Sequence, residues 1–333
     1  MRFIGLVCTV LICTVFARAQ DVAFSQIHAL PQYLNPAMTG FFDGNIRASA
    51  IYRNQWFAIN SPYGKSMLQT VGAAVDGSFL KGKYKRNYLG IGLCVYNDWA
   101  GDLSFRTTDA TINIAYSKGF GRGDVKHSLA LGLQGEFRMY GINAAKAVFS
   151  DGVTENISPN VMNFDAGVGL RYHIAFRSRL SWYVAGAYTH ILQPRQKFIS
   201  MGSKTQGKIT VHSGAVVDIT PRFNLLPSAM FVYQGGLWQV NAGTYVQYIF
   251  DSFSDERNGI SFGIFSRFAN PAPDALIASV RLDYKGFQAV VGYDFNISAL
   301  HRATNAQGAI ELGVSYIAQL QKNKRDKTPC IQF

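Results

Sequence analysis

The sequence predicts an all-β fold: a transmembrane antiparallel β-barrel of 14 strands with an N-terminal segment that is either periplasmic or a lumen plug. Three observations predict it. The first is composition: only 16% of the 333 residues are charged, against 14% aromatic and 48% hydrophobic, with 32 glycines. Soluble chains carry about a quarter charged residues, and a disordered chain would lack this apolar content. Glycine triplets and heptads are absent, and a mean hydropathy of +0.04 is too low for a helical membrane protein. The second is alternation. In Phe164–Ile174 one parity reads Phe, Ala, Val, Leu, Tyr, Ile and the other Asp, Gly, Gly, Arg, His, and side chains on a strand alternate between faces. The same pattern sets Leu129, Leu131, Leu133 and Phe137 against Gln134, Glu136 and Arg138, and Ile310, Leu312, Val314 and Tyr316 against Glu311, Gly313 and Ser315. The third is length. These runs reach nine residues or more, enough for a tilted strand to cross a bilayer, whereas strands of soluble sandwiches average about five or six.

Residues 1–19 read as a signal peptide: Arg2, an apolar run from Phe3 to Phe16, then Ala17-Arg18-Ala19, so that cleavage falls between Ala19 and Gln20. The run is shorter than the roughly 20 residues a membrane anchor needs. Cys8 and Cys13 lie inside it, leaving Cys94 and Cys330, too few for a disulfide framework or a zinc site. Residues 20–43 form the N-terminal segment, in which Pro36 holds Asn35 extended. It has three readings: a lumen plug, a strap along the periplasmic mouth, or an ordinary packed turn.

Residues 44–320 form the barrel, with strands starting near 44, 67, 87, 104, 125, 162, 179, 205, 223, 237, 257, 273, 286 and 308. An even count closes such a barrel with both chain ends on one side. With that side periplasmic, the even-numbered links include the short turns Arg177-Ser178, Pro221-Arg222 and Lys285-Gly286. The odd-numbered ones include Phe57–Ser66, Gly141–Val161, Ile191–Lys204 and Ser298–Gln307. Gly77–Arg86 is long for a periplasmic link, and Gln234–Gly236 short for an external one. Trp56, Trp99, Trp182 and Trp238, with 17 tyrosines and 24 phenylalanines, suit the aromatic girdles at the two membrane interfaces. Residues 321–333 form a basic tail.

No catalytic, cofactor or metal set is expected. The six histidines are scattered, without HExxH or ligand-spaced pairs. Asp165, Arg171 and His173 share the lumen-facing parity, but barrel lumens are polar in any case. Gly119–Gly123 joins two strands rather than a strand and a helix, and no serine has a GxSxG context. The charge is more informative. Lys81, Lys83, Lys85 and Arg86 lie within one link, and Lys322, Lys324, Arg325 and Lys327 lie in the tail. Such a rim either rests against anionic outer-membrane lipid or docks an acidic periplasmic protein. Nucleic acid is not an expected partner of an exported barrel. Lumen positions rich in glycine and poor in bulky charge keep the alternative open: a channel for passive transport of a small hydrophobic or polar solute.

The two ends carry a resemblance. Gln20-Asp21, Phe24-Ser25-Gln26, Tyr33-Leu34-Asn35-Pro36-Ala37, Gly40 and Tyr52-Arg53-Asn54-Gln55-Trp56 open the exported chain. Gly292-Tyr293-Asp294, Asn296, Ser298, Ala303-Thr304-Asn305, Gly308, Glu311 and Tyr316 close the barrel. These blocks, in this order, resemble the PorP/SprF family of type IX secretion and gliding-machinery proteins. Gly292 stands where a serine is more usual, and Ile331 where a proline is. The resemblance implies a non-enzymatic outer-membrane component of a Gram-negative cell, acting on one of two branches. One branch works with a periplasmic lipoprotein or the trans-envelope complex. The other works with a single secreted adhesin-like client whose C-terminal domain it helps deliver to the surface.

Overall fold

The computed structural model describes residues 21–319 except 57–59, 62–63, 66–67, 81–86, 102–104, 122–124, 143–159, 177–179, 197–202, 251–257, 271, 300 and 303. The signal-cleavage pair Ala19/Gln20, the basic link Lys81–Arg86 and the tail Lys322–Lys327 lie outside these residues.

Fourteen strands close one antiparallel barrel. They are β1 Ile46–Gln55, β2 Leu68–Phe79, β3 Tyr88–Ala100, β4 Phe105–Phe120, β5 Val125–Gly141, β6 Asn160–Phe176, β7 Leu180–Thr189, β8 Lys208–Thr220, β9 Phe223–Gln234, β10 Leu237–Ile249, β11 Gly259–Ala269, β12 Ala272–Tyr284, β13 Phe287–Asn296 and β14 Gln307–Ala318. Each starts within three residues of its expected position. β1 closes the ring by pairing with β2 on one side and β14 on the other, from Ile46↔Ala318 to Gln55↔Ala309. Each of the fourteen barrel strands is paired on both sides, which is what a strand in hydrocarbon requires.

The alternation sorts side chains as read from the sequence. Phe164, Leu133 and Ile112 are 71%, 59% and 58% exposed on the outer face, while their neighbours Asp165, Gln134 and Asn113 are buried inside. At the end where β1 begins, here the proximal end, Tyr116, Phe120, Trp182, Phe223, Tyr284, Phe287 and Tyr316 form part of an outer aromatic girdle. The two-residue turns at 221–222 and 285–286 also lie at this end. The long links 142–159, 190–207 and 297–306 lie at the opposite, distal end. One proximal link, 250–258, is longer than the sequence pattern suggested.

The N-terminal segment threads the lumen, so the mouth-strap alternative is corrected. Its first described residue, Asp21, sits at the distal end, where its backbone N–H donates to Gln234 of β9. A single helical turn, α1 (Pro31–Leu34), and a 3-10 turn (Pro36–Met38) follow in mid-barrel. The chain then reaches the proximal end, where the Gly40 N–H donates to Asp76 of β2 at 2.7 Å. Two apolar clusters pack the segment into the wall. Phe24, Leu30 and Tyr33 meet Ile51, Cys94 and Tyr96. Met38 and Phe41 meet Tyr183, Val216, Leu226, Tyr245, Phe265 and Ile277.

Candidate functional site: the threaded lumen and its distal vestibule

Lumen glycines make the path. A Cβ on Gly169 would stand 2.0 Å from Asn35 Oδ1, and one on Gly132 would stand 2.2 Å from the Ala37 nitrogen. Gly72, Gly90, Gly92 and Gly292 are filled in the same way by Leu30, Thr39, Gln32 and Gln26. The glycine-rich lumen face therefore accommodates this chain's own segment. The expectation of few bulky lumen charges is also corrected: Arg47, Arg53, Arg138, Arg171, Arg267, Arg281, Asp76, Asp109, Glu136, Asp165, Asp294 and Glu311 are all buried inward. Alternation had marked these positions as polar. Their number was underestimated because they are spread singly over many strands.

Asn35-Pro36-Ala37 is the middle anchor. Pro36 sets Asn35 extended (φ −159°, ψ 120°). The fully buried Asn35 amide donates to the carbonyls of Leu170 at 3.3 Å and Gly186 at 3.0 Å, and its Oδ1 accepts the Ala37 N–H at 2.8 Å. Two strands of the wall, β6 and β7, thus meet one side chain.

A second anchor gathers residues from opposite ends of the sequence. Glu311 accepts the backbone N–H groups of Ser25 at 2.7 Å and Gln26 at 2.8 Å. The Ser25 hydroxyl donates to Asp294 at 2.7 Å while accepting from Arg53 at 2.7 Å and Arg267 at 2.6 Å. Arg53 pairs with both Asp294 and Glu311, and Arg267 with Asp294 and Asp274. Two guanidinium groups against two buried carboxylates, all hydrogen-bonded, form the balanced arrangement that makes burial of charge tolerable. Other sequence-singled residues shape the wall. Trp56 ends β1 in the left-handed region (φ 56°) with its N–H donating to Gly308. Tyr293 packs edge-on against Phe295 on the outer side. Ser298 donates twice to Asn296 Oδ1 in the turn after β13.

A third anchor, at the distal end, is assembled from β5, β6, β8, the link after β7 and the segment, so no spacing along the sequence announces it. Asp21 meets Arg138 at 2.9 Å, Lys208 at 2.8 Å and His190 Nε2 at 2.7 Å, and the other His190 nitrogen lies 3.1 Å from Asp165. Burial alone would raise the Asp21 pKa, but Arg138, Lys208 and His190 outweigh it and hold the carboxyl well below its usual range. Burial pushes the His190 ring down, and Asp21 and Asp165 reverse this, raising it to about 9. Among the sequence candidates, Asp165 joins this cluster. Arg171 and His173 lie elsewhere: Arg171 sits under the Phe41 ring, and His173 pairs with Ser181 at 2.8 Å.

Above the anchors a cavity of about 850 Å³ opens at the distal end, lined by Asp21, Arg53, Tyr96, Asp98, Arg138, Tyr140, Gln196, Gln239 and Arg267 among others. Its floor is the start of the threaded segment.

Comparison with known proteins follows from this architecture. No curated protein sequence matches the chain significantly. Among solved structures it is similar to the TodX monoaromatic hydrocarbon channel deltaS2 mutant (10% identity, TM-score 0.49, covering 86% of this chain and 93% of that one). It is also similar to the Ralstonia pickettii toluene transporter TbuX (10%, 0.47, 89% and 95%) and to a Pseudomonas aeruginosa FadL homologue (13%, 0.47, 86% and 94%). What those proteins carry is not transferred to this chain by likeness at that level. The sequence profile described as type IX secretion system membrane protein PorP/SprF matches residues 16–316. That span takes in the segment that threads the lumen and all but the last two residues of the strand that closes the barrel, and the chain belongs to the PorP/SprF family of type IX secretion system membrane proteins.

Proposed function

We propose that the protein is a non-enzymatic outer-membrane docking component of the type IX machinery, one that supports secretion or surface delivery of client proteins rather than passing a solute. The observation that carries this reading is the threaded lumen. Residues 21–42 run from one mouth to the other, held by three polar anchors and two apolar clusters. A filled lumen suits a barrel that presents surfaces; a passive channel needs an open path.

In this reading the signal is cleaved after Ala19, the proximal end faces the periplasm and the distal vestibule faces outward. The basic groups Lys81–Arg86 and Lys322–Lys327 then flank the periplasmic rim. There their long-range attraction steers an acidic partner, over screening lengths of about 8–10 Å.

Planar-bilayer conductance of the purified full chain, beside a variant lacking residues 21–42, tests the carrying observation. The full chain is expected to stay closed and the deletion to conduct. A large, steady conductance from the full chain would return the reading to transport. In cells, loss of the gene should deplete surface or secreted proteins while leaving solute uptake intact.

A further inference from the structure

We propose that Glu136, Asp165 and His190 form a divalent metal site, zinc by ligand type, beneath the floor of the distal vestibule. Each offers one ligand atom, and the three atoms lie within 4.8 Å of one another. His190 Nδ1 is 3.1 Å from Asp165 Oδ2 and 3.7 Å from Glu136 Oε1. A tetrahedral zinc with bonds of about 2.0–2.1 Å sets its ligand atoms roughly 3.3–3.4 Å apart, so both histidine pairs are already near that spacing, and the Glu136–Asp165 pair closes from at most 4.8 Å. One imidazole and two carboxylates favour zinc over calcium or magnesium, which take mainly oxygen donors.

A further feature points the same way, an oxygen without a donor. Glu136 Oε1 is buried and receives no hydrogen bond. Arg138 Nε lies 2.8 Å away, but its single hydrogen goes to Asp109 Oδ2 at 2.7 Å. Asp109 Oδ1 is likewise buried without a donor. A metal ion on His190 Nδ1 would take the place of a proton there and give Glu136 Oε1 the partner it lacks.

The outer arrangement of such a site is already in place. His190 Nε2 faces Asp21 Oδ2 at 2.7 Å, the carboxylate partner that orients a metal-bound histidine and sharpens its donor strength. Asp21 and Arg138, which contact His190 and Glu136, both line the vestibule, so the ion would enter past these two side chains and take water as its fourth ligand. The ion would join β5, β6 and the start of the 190–207 link, and through Asp21 it would secure the distal end of the threaded segment.

The test uses the tag-free full chain folded in detergent, stripped with chelator, passed through gel filtration after ZnCl2 and assayed for metal by mass spectrometry. One zinc per chain is expected. Asp165→Asn and Glu136→Gln should each weaken binding at least tenfold, and Asp21→Asn about 10- to 100-fold through the histidine. Cobalt on the wild-type chain gives a readout independent of any variant: tetrahedral binding should produce visible absorption that zinc abolishes. Substoichiometric zinc, cobalt without that spectrum, binding unchanged in both ligand variants, or calcium held in preference to zinc would each overturn the site.

Discussion

Arg53 and Glu311 are register partners across the β1–β14 seam, and the same Glu311 carboxylate takes the backbone N–H groups of Ser25 and Gln26. One ion pair therefore closes the ring and seats the chain inside it. Arg47 and Asp76 repeat the device on the other side of β1. They too are register partners, and Asp76 also accepts the Gly40 N–H. The first strand is thus stapled to both neighbours by pairs whose acids also hold the segment leading into it.

Removing the acid at the first staple should be costly. Glu311→Ala leaves Arg53 with one fewer buried counter-charge and orphans two backbone donors, a change worth about 3–5 kcal/mol. The double variant Arg53→Met/Glu311→Leu should lose less, since no uncompensated charge remains. Urea unfolding followed by heat-modifiable gel migration measures both, and equal losses would contradict the account.

Glycines should be intolerant where the segment passes and tolerant on the outer face of the same strand. Gly132→Val drives a side chain into the Pro36–Ala37 backbone, whereas Gly135 points outward and a Cβ there meets nothing within 4 Å. Overpacking of this kind costs about 1–3 kcal/mol or more. Limited proteolysis should therefore release residues 21–42 from Gly132→Val but not from Gly135→Val. Equal protection in the two would argue against a tightly seated segment.

The sequence made the barrel legible because lipid imposes a period of two on every strand, and Phe164–Ile174 states that period without exception. It also marked the segment's anchors, since Asn35, Arg53, Asp294 and Glu311 stand in recognisable blocks at the two ends. The blocks could not say that Arg53, Asp294 and Glu311 meet at Ser25, because the Ser25–Glu311 contact joins positions 286 residues apart. The His190 cluster was illegible for a similar reason. Glu136 and Asp165 are ordinary inward positions of two strands, and His190 lies just past the end of a third. Nor did alternation distinguish a glycine that widens a pore from one that makes room for a chain. Inward polarity is the same in both.

Asn35 offers a contrast between two small changes. Its amide donates to two carbonyls from different strands, so Asn35→Ala loses those bonds at about 1–3 kcal/mol. Asn35→Asp keeps the shape and the acceptor for the Ala37 N–H but turns a carboxylate toward the Leu170 and Gly186 oxygens. The aspartate should be the worse variant in the same unfolding assay, and a milder aspartate would mean that the Ala37 contact carries the site.

Phe41 and Arg171 make the last test of how the proximal half is held. Arg171 is fully buried and donates to Tyr88 at 3.0 Å and Ser117 at 3.3 Å, while its Nε and Nη1 receive no acceptor. The Phe41 ring covers the guanidinium at 3.5 Å, a contact worth about 2 kcal/mol or more when desolvated. Phe41→Ala should cost about 3–5 kcal/mol by emptying an apolar site and uncovering the cation. Phe41→Leu keeps much of the volume without the ring face, so the penalty left in the leucine variant carries the cation–π share and the further loss in alanine is packing. If Arg171→Met removes the penalty of Phe41→Leu, the ring is there for the charge. If the leucine penalty persists in the methionine background, the ring acts by packing alone.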